Sequence, residues 1–238
     1  MSTPRRTPVR VSGLLLAVVA VLTLGACTSA GGSNEVHLTP DKAMVLAKTK
    51  LDETSGLHLT LSTDDLPDGI AGVKSAEGVA NHDPAFDGKI TVVLSGQDFE
   101  VPVIAVDGTV YAQVPLTPGW QEIVPADYGA PDPAQLMSPD KGFSALLPAT
   151  TGLEEGDSVR GGKDNKEVLT EYTGSVPSSA VVNVIPTATG DFDVSYTVTD
   201  AGELRQAVLT GDFYDSGDSM TYTVGFDDYG TETDITAP

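Results

Sequence analysis

Cys27, the only cysteine of the 238-residue sequence, pairs a reactive side chain with a setting suited to using it. It follows Leu24-Gly25-Ala26, a branched apolar residue and two small ones. Small residues give a peptidase access to the bond before the cysteine, and the thiol can carry a diacylglyceryl thioether. Upstream, Arg5, Arg6 and Arg10 precede an apolar run from Val11 to Leu24, broken only by Ser12, Gly13 and Thr23. That run falls short of the ~20 residues a helix needs to cross a bilayer. A basic stretch, a short apolar stretch and small residues before a cut site describe a secretory signal. Residues 1–26 therefore read as a lipoprotein signal peptide, and Cys27 as the lipidated first residue of the mature chain. A lone cysteine is otherwise most often a small buried apolar filler, and secretion without a lipid is the alternative here.

The other chemistry-bearing residues form no recognisable centre. His37, His58 and His82 fall at the edge of a polar stretch, in a strand and in a loop, without metal-ligand spacing. Asp64-Asp65-Leu66-Pro67-Asp68-Gly69 has the look of a calcium loop, but Leu66 stands where an oxygen ligand is required and no downstream glutamate completes it. There is no Gly-x-Ser-x-Gly elbow and no phosphate-cradling glycine loop. With Cys27 acylated no thiol remains for a disulfide or a cysteine-ligated metal. The chain reads as a non-enzyme without metal or cofactor.

Charge narrows the partners. The sequence holds 34 acidic against 13 basic residues, a formal charge of −21, and losing three arginines with the signal peptide makes the mature chain more acidic still. Nucleic acid, which requires a basic footprint, is excluded. Adhesion of the protein surface to anionic lipid is disfavoured, and scattered acids serve solubility. Two acyl chains, at about 0.8 kcal/mol per buried CH2, would hold the chain on the outer face of the cytoplasmic membrane.

These residues need a body to position them. Residues 27–37 comprise the acylated cysteine and a small, polar tether, and 38–238 suit a single domain. Thr39 as N-cap, Pro40 at the first helical position and Gly56 as a stop predict a helix over about 40–55 with Ala43, Ala47 and Leu51 on one side. The period then drops to two at Leu57-Leu59-Leu61, and does so again at Ile90-Val92-Leu94, Tyr196-Val198 and Met220-Tyr222-Val224. Asp107-Gly108 predicts a tight hairpin between Val101–Val106 and Thr109–Val114. Asp132-Pro133 and Ser138-Pro139 predict short helices over 132–137 and 139–147, the second stopped by Pro148, and a further helix is expected at 178–185. From Lys166 onward the remaining pattern is strands. The fold class is α+β with one antiparallel sheet.

The run from Pro125-Ala126-Asp127-Tyr128 through Asp132-Pro133 to Ser138-Pro139-Asp140-Lys141-Gly142-Phe143 resembles a segment of the actinobacterial LppX/LprA/LprF/LprG lipoprotein family. The hairpin Val103–Ala112 and the segment Leu204–Leu209 are similar to family segments too, and the resemblance is strongest to the LprG branch. It covers roughly Pro40 to Pro238 besides the lipobox. It implies a strongly curved antiparallel sheet, a half-barrel, with helices over its concave side enclosing an apolar cavity for acyl chains. It further implies a role in holding or carrying triacylglycerol, phosphatidylinositol mannosides or lipoarabinomannan-type lipoglycans, with an efflux-type membrane transporter as a partner.

The residues themselves say this less sharply. Ile90, Val92 and Leu94, Phe143, Leu146 and Leu147, and Val181, Val182 and Ile185 could fill an ordinary core or line such a cavity. Aliphatic lining suits a carrier because burial alone binds acyl chains. A small-molecule or signal-binding lipoprotein would show a polar pocket instead, and a structural envelope lipoprotein would show no cavity. For the anchor the expectation is direct: Cys27→Ala should leave a chain that no longer partitions into the detergent phase of a Triton X-114 separation. Unchanged partitioning would sink the lipidation reading.

Overall fold

The proline at position 40 does open a helix. In the computed structural model, which describes residues 38–238 apart from Gly129, helix α1 spans Pro40–Glu53 with Thr39 extended at its N-cap. The cap works through the backbone, the Thr39 carbonyl accepting from the Ala43 N–H at 3.0 Å. Ala43, Met44, Ala47 and Leu51 form the buried stripe. The helix stops at Glu53, where Thr54 turns extended. Gly56 is thus the first residue of a strand and not the helix stop its type suggested.

Strands β1 (Gly56–Ser62), β2 (Gly72–Asn81), β3 (Ala85–Leu94), β4 (Gln97–Val106), β5 (Thr109–Ala112) and β6 (Gln121–Ile123) follow in turn. After a long connection come β7 (Thr151–Gly161), β8 (Glu167–Pro177), β9 (Thr189–Thr199), β10 (Leu204–Asp212) and β11 (Met220–Asp227). All eleven form one open, curved antiparallel sheet in the order β6-β5-β4-β3-β2-β1-β11-β10-β9-β8-β7. The β4–β5 turn is the expected one, with Asp107 and Gly108 both at positive φ and Val106 opposite Thr109. Three strands were not legible in the pattern, the three-residue β6 among them. β2 is built of Gly, Ala, Ser and Val with little apolar contrast, and β7 is exposed along most of its length.

The first and last strands meet in the middle, Leu59 opposite Phe226 and Leu61 opposite Val224. That leaves β6 and β7 on opposite edges, so residues 124–150 must cross the inner face. Asp132 and Pro133 open a 3-10 helix over Pro133–Met137, the Asp132 carboxylate accepting from the Ala134 N–H at 2.9 Å. The helix expected over 139–147 begins only at Phe143, as a 3-10 turn running into α2 (Leu146–Ala149). Before it the chain folds back tightly: the Gly142 N–H meets the Ser138 carbonyl at 2.7 Å, and a Cβ on Gly142 would sit 2.2 Å from the Leu136 carbonyl oxygen. Pro148 lies within the first turn of α2, where its missing N–H forfeits no bond, and does not end the helix. The 178–185 segment is helical only over α3 (Ser178–Val181).

The inner face is covered unequally. Over β7–β10 pack α1, α2 and α3, closing a core in which Met44, Leu51, Leu147, Tyr196 and Phe226 are fully buried. Over β2–β4 lies the 3-10 helix Pro133–Met137. In the β2–β3 pair Gly78 faces Gly88, and the Phe86 ring lies against both. A Cβ on Gly88 would come within 2.2 Å of the Glu77 carbonyl oxygen and 2.7 Å of that ring. Three tyrosines are sunk into the structure. The Tyr196 hydroxyl meets Thr150 Oγ1 at 3.1 Å, and burial pushes its pKa up to about 12. Burial also raises Tyr229, whose hydroxyl donates to the Leu204 carbonyl at 2.8 Å, and Tyr222, which its neighbour Tyr214 raises further.

Two outcomes follow. Gly88→Ala should cost about 1–3 kcal/mol, since the added methyl meets backbone that cannot yield, and a lowered urea midpoint would show it. The tyrosines ionise near pH 10 when unfolded but stay neutral when folded. Their contribution is complete below about pH 10 and is lost as pH rises above it, by up to about 1.4 kcal/mol per pH unit for each. Tyr229→Phe should therefore flatten the fall of the urea midpoint at alkaline pH, and an unaltered slope would contradict the assignment.

Candidate functional site: an apolar void beneath the crossing segment

The alternation in β3 puts Ile90, Val92 and Leu94 on the inner face, and the register sets Val101 opposite Ile90 and Phe99 opposite Val92. With Val103, Val110 and Ala112 they wall a compartment of about 720 Å³ that reaches Val114, Pro115, Ile123 and Pro125. A second compartment, of about 740 Å³, runs from Ile90 past Phe86 and Leu59 to Tyr222 and Val224. Both volumes are counted out to where the compartments open to solvent. Ile90, Ala130, Pro131 and Pro133 border both, so the compartments adjoin under the crossing segment.

The roof suits an apolar occupant. Pro131 and Pro133 have no N–H to present, and the carboxylate of Asp132 between them is turned back onto Ala134. Lys48 pins the same segment to α1, its ammonium donating to the Pro139 carbonyl at 2.6 Å and Ser144 Oγ at 3.3 Å while pairing with Asp52 at 2.8 Å. At the deep end the Phe143 ring meets Phe226 edge-on, with centroids 5.6 Å apart.

The polar atoms of the wall are engaged by protein. The Tyr222 hydroxyl donates to the Val73 carbonyl, and the Tyr214 hydroxyl donates to that of Tyr222 at 2.7 Å and accepts the Val73 N–H at 3.1 Å. Because burial raises the Tyr222 pKa, that phenol stays neutral. Charge lies on the other face or beyond the strand ends, as in Lys89–Glu100 at 3.1 Å and Lys74–Asp98 at 2.6 Å. Asp65, from the acidic run, is held by the Thr221 N–H at 3.0 and 3.1 Å and by the Thr63 hydroxyl at 2.7 Å. Those bonds, the Thr221 one foremost, depress its pKa. Its role is to tie the β1–β2 loop to β11.

The apolar residues singled out from sequence fall in several places. Ile90 borders both compartments, Val92 and Leu94 the first, and Phe143 and Ile185 the second. Leu146 and Val181 face a smaller apolar gap beside Phe143. Leu147 is sealed in the packed core at 0% exposure, away from the void, and Val182 is corrected to the surface at 36%. One turn of helix turns Val181 and the following Val184 and Ile185 inward and leaves Val182 about 100° away. The walls from β1, β4 and β5 were not singled out, although Phe99-Val101-Val103 carries the same alternation as β3. The roof prolines offered no such signal. His58 lies half-buried in β1, and His82 Nε2 sits 2.9 Å from the Leu51 carbonyl. Cys27, the signal peptide, the tether and His37 lie outside the described residues.

Comparison with known proteins agrees with this architecture. The sequence profile of the LppX_LprAFG lipoprotein family matches residues 39–236. The chain is 27% identical over 249 positions to the lipoarabinomannan carrier protein LprG of Mycobacterium tuberculosis, covering 100% of this chain and 99% of that one. It is 30% identical to the protein of the same name from Mycobacterium leprae, covering 88% and 90%. Among solved structures, LprF from Mycobacterium bovis superposes with a TM-score of 0.66 at 12% identity, over 84% of this chain and 96% of that one. LppX from Mycobacterium tuberculosis gives 0.60 at 14% identity, over 83% and 98%. An eleven-stranded open sheet roofed by a crossing segment, carried by a sequence that matches from residue 39 to 236, places this chain in the LppX_LprAFG lipoprotein family.

Proposed function

We propose that the protein is a lipid carrier of the cell envelope that holds the acyl chains of a lipid or lipoglycan in the void and passes them outward from the cytoplasmic membrane. The observation that carries this reading is the pair of apolar compartments adjoining at Ile90, beneath a roof whose prolines offer no hydrogen-bond donor. Acyl chains have nothing to hydrogen-bond, so such a wall binds them by burial alone, at about 0.8 kcal/mol per methylene. Ten methylenes contribute roughly 8 kcal/mol before the cost of ordering them. Two compartments suit a molecule with more than one chain. The relatives named lipoarabinomannan carrier support a lipoglycan, with triacylglycerol and phosphatidylinositol mannosides in the same chemical class.

On this reading Ile90, Val92, Leu94, Phe143 and Ile185 line the binding site, with Leu146 and Val181 behind them. Residues 38–238 form the carrier domain, and Cys27 anchors it to the outer face of the membrane through the 27–37 tether. An efflux-type membrane transporter is the partner that would supply or accept the lipid.

Ile90→Trp tests the reading. A void built for acyl chains has room for an indole, whereas overpacking a filled core costs about 1–3 kcal/mol. The variant should melt close to the wild type and yield no co-purifying lipid in mass spectra of solvent extracts. Delipidated wild-type protein that takes up no acylated ligand at micromolar concentration would end the carrier hypothesis, whatever the variant does.

A further inference from the structure

The connection between β5 and β6 carries a residue that the fold does not ask for. Val114-Pro115-Leu116-Thr117 is a tight turn, its Thr117 N–H bonded to the Val114 carbonyl at 3.1 Å and its Thr117 hydroxyl to the same oxygen at 2.6 Å. Proline stands at the second position and the third has φ +69. That is the pattern of a type II turn, in which the third position calls for glycine or asparagine. Here it is leucine, held in the left-handed backbone region that branched L-residues rarely adopt. Nothing in the folded chain offsets this strain, because the Leu116 side chain is fully exposed, at 104%.

Its neighbours give the residue a context. Val114 and Pro115, on either side of the turn's start, line the void beside Ile123 and Pro125, so the turn stands at the rim of one compartment. Gly108 to Gln121 carries no charged residue, and Val124, just past β6, adds a further exposed apolar side chain at 59%. In a chain of net charge −21, the turn itself lacks the acids that would hold it away from a lipid surface, the first being Glu122 in β6. The sequence before the described body also sets a distance. From Cys27 to Leu38 the chain spans at most about 40 Å when extended, so a body tethered there can touch the bilayer that holds its anchor.

We infer that the 113–120 turn is a membrane-docking tip: Leu116 enters the surface of a lipid bilayer and brings the rim of the void against it, so that acyl chains pass between the two without crossing water. The inference rests on the carrier reading for its purpose and on the turn's own geometry for its site. Insertion of one leucine and the flanking prolines is weak by itself, and the lipid anchor supplies the local concentration that makes it effective.

Trp120, the only tryptophan, sits at the end of the turn and reports on it. The exported chain is mixed with phosphatidylcholine vesicles carrying brominated acyl chains, and Trp120 emission is compared between the wild type and Leu116→Asn. Asparagine accepts the left-handed backbone, so the variant should melt at or above the wild-type temperature. The wild type should lose Trp120 emission to the bromine, and the variant should keep it. Uptake of acylated ligand from vesicles should slow in Leu116→Asn, while uptake from detergent solution stays at the wild-type rate. Wild-type emission that bromine leaves untouched, as when a protein partner or a second copy covers the tip, overturns the inference. So does equal quenching in the variant. Failure of the carrier reading looks different: neither chain takes up ligand by either route, while quenching still depends on Leu116.

Discussion

The pairing of β1 with β11 decides the rest of the molecule. Once the first and last strands are neighbours, the two runs of antiparallel strands must grow outward in opposite directions, and the chain ends its first run at β6 with β7 still to be laid on the far edge. Eleven strands at about 4.8 Å spacing put those edges roughly 48 Å apart along the sheet. A connection of that reach cannot be a tight turn. It has to pass over one face, and because the Leu, Val and Phe side chains of the strands alternate toward the inner side, that is the face it passes over.

What the crossing segment does along the way differs between the two halves, for reasons visible in its residues. Between Phe143 and Ala149 it forms short helical turns whose Phe and Leu side chains pack against α1 and the β8–β11 face, and only a small gap beside Phe143 and Leu146 remains there. Between Ala130 and Pro133 it is extended and proline-bearing, too slender to fill the hollow beneath it. Apolar surface left facing water there forgoes about 25 cal/mol per Å². An acyl chain laid in the hollow recovers that energy, and the folded state gains stability by mass action as it binds. The wall beside the hollow has an equally local requirement, since side chains on the Gly78–Gly88 pair would collide with the facing backbone and the Phe86 ring.

The parts legible in the sequence are those where one residue type has one physical job. Pro40 and Asp132-Pro133 open helices because proline's fixed φ and missing N–H suit a first turn, and Asp107-Gly108 makes a hairpin because both positions need positive φ. Strands with one wet face showed their period, as β1, β3 and β11 did. β2 and β7 gave no signal, the first because Ala and Gly supply its inner surface, the second because an exposed edge strand buries neither face. Helix lengths were overestimated at 139–147 and 178–185 because the reversal at Gly142 and the single turn of α3 are set by tertiary packing. The void was least legible of all. Ile90 looks the same in a sequence whether its neighbour is another side chain or empty space, and only the roof decides between them.

A wall made of carbon can measure how many chains enter and how long they are, at about 1–3 kcal/mol for each methylene that fits or fails to fit. It cannot read a headgroup, because the Tyr214 and Tyr222 hydroxyls are spent on the Val73 backbone and the roof prolines have no donor. On the carrier reading, discrimination among lipids that share acyl chains would have to arise at the rim. The antiparallel order gathers the β1–β2, β3–β4 and β5–β6 connections at one end of the sheet, and the polar groups of the first, Asp64 and Asp68, stand apart from the apolar turn of the third. One side of that rim is acidic and polar, the other apolar. On that reading a lipoglycan, with one polar and one apolar half, would satisfy both sides at once with its chains beneath the crossing segment.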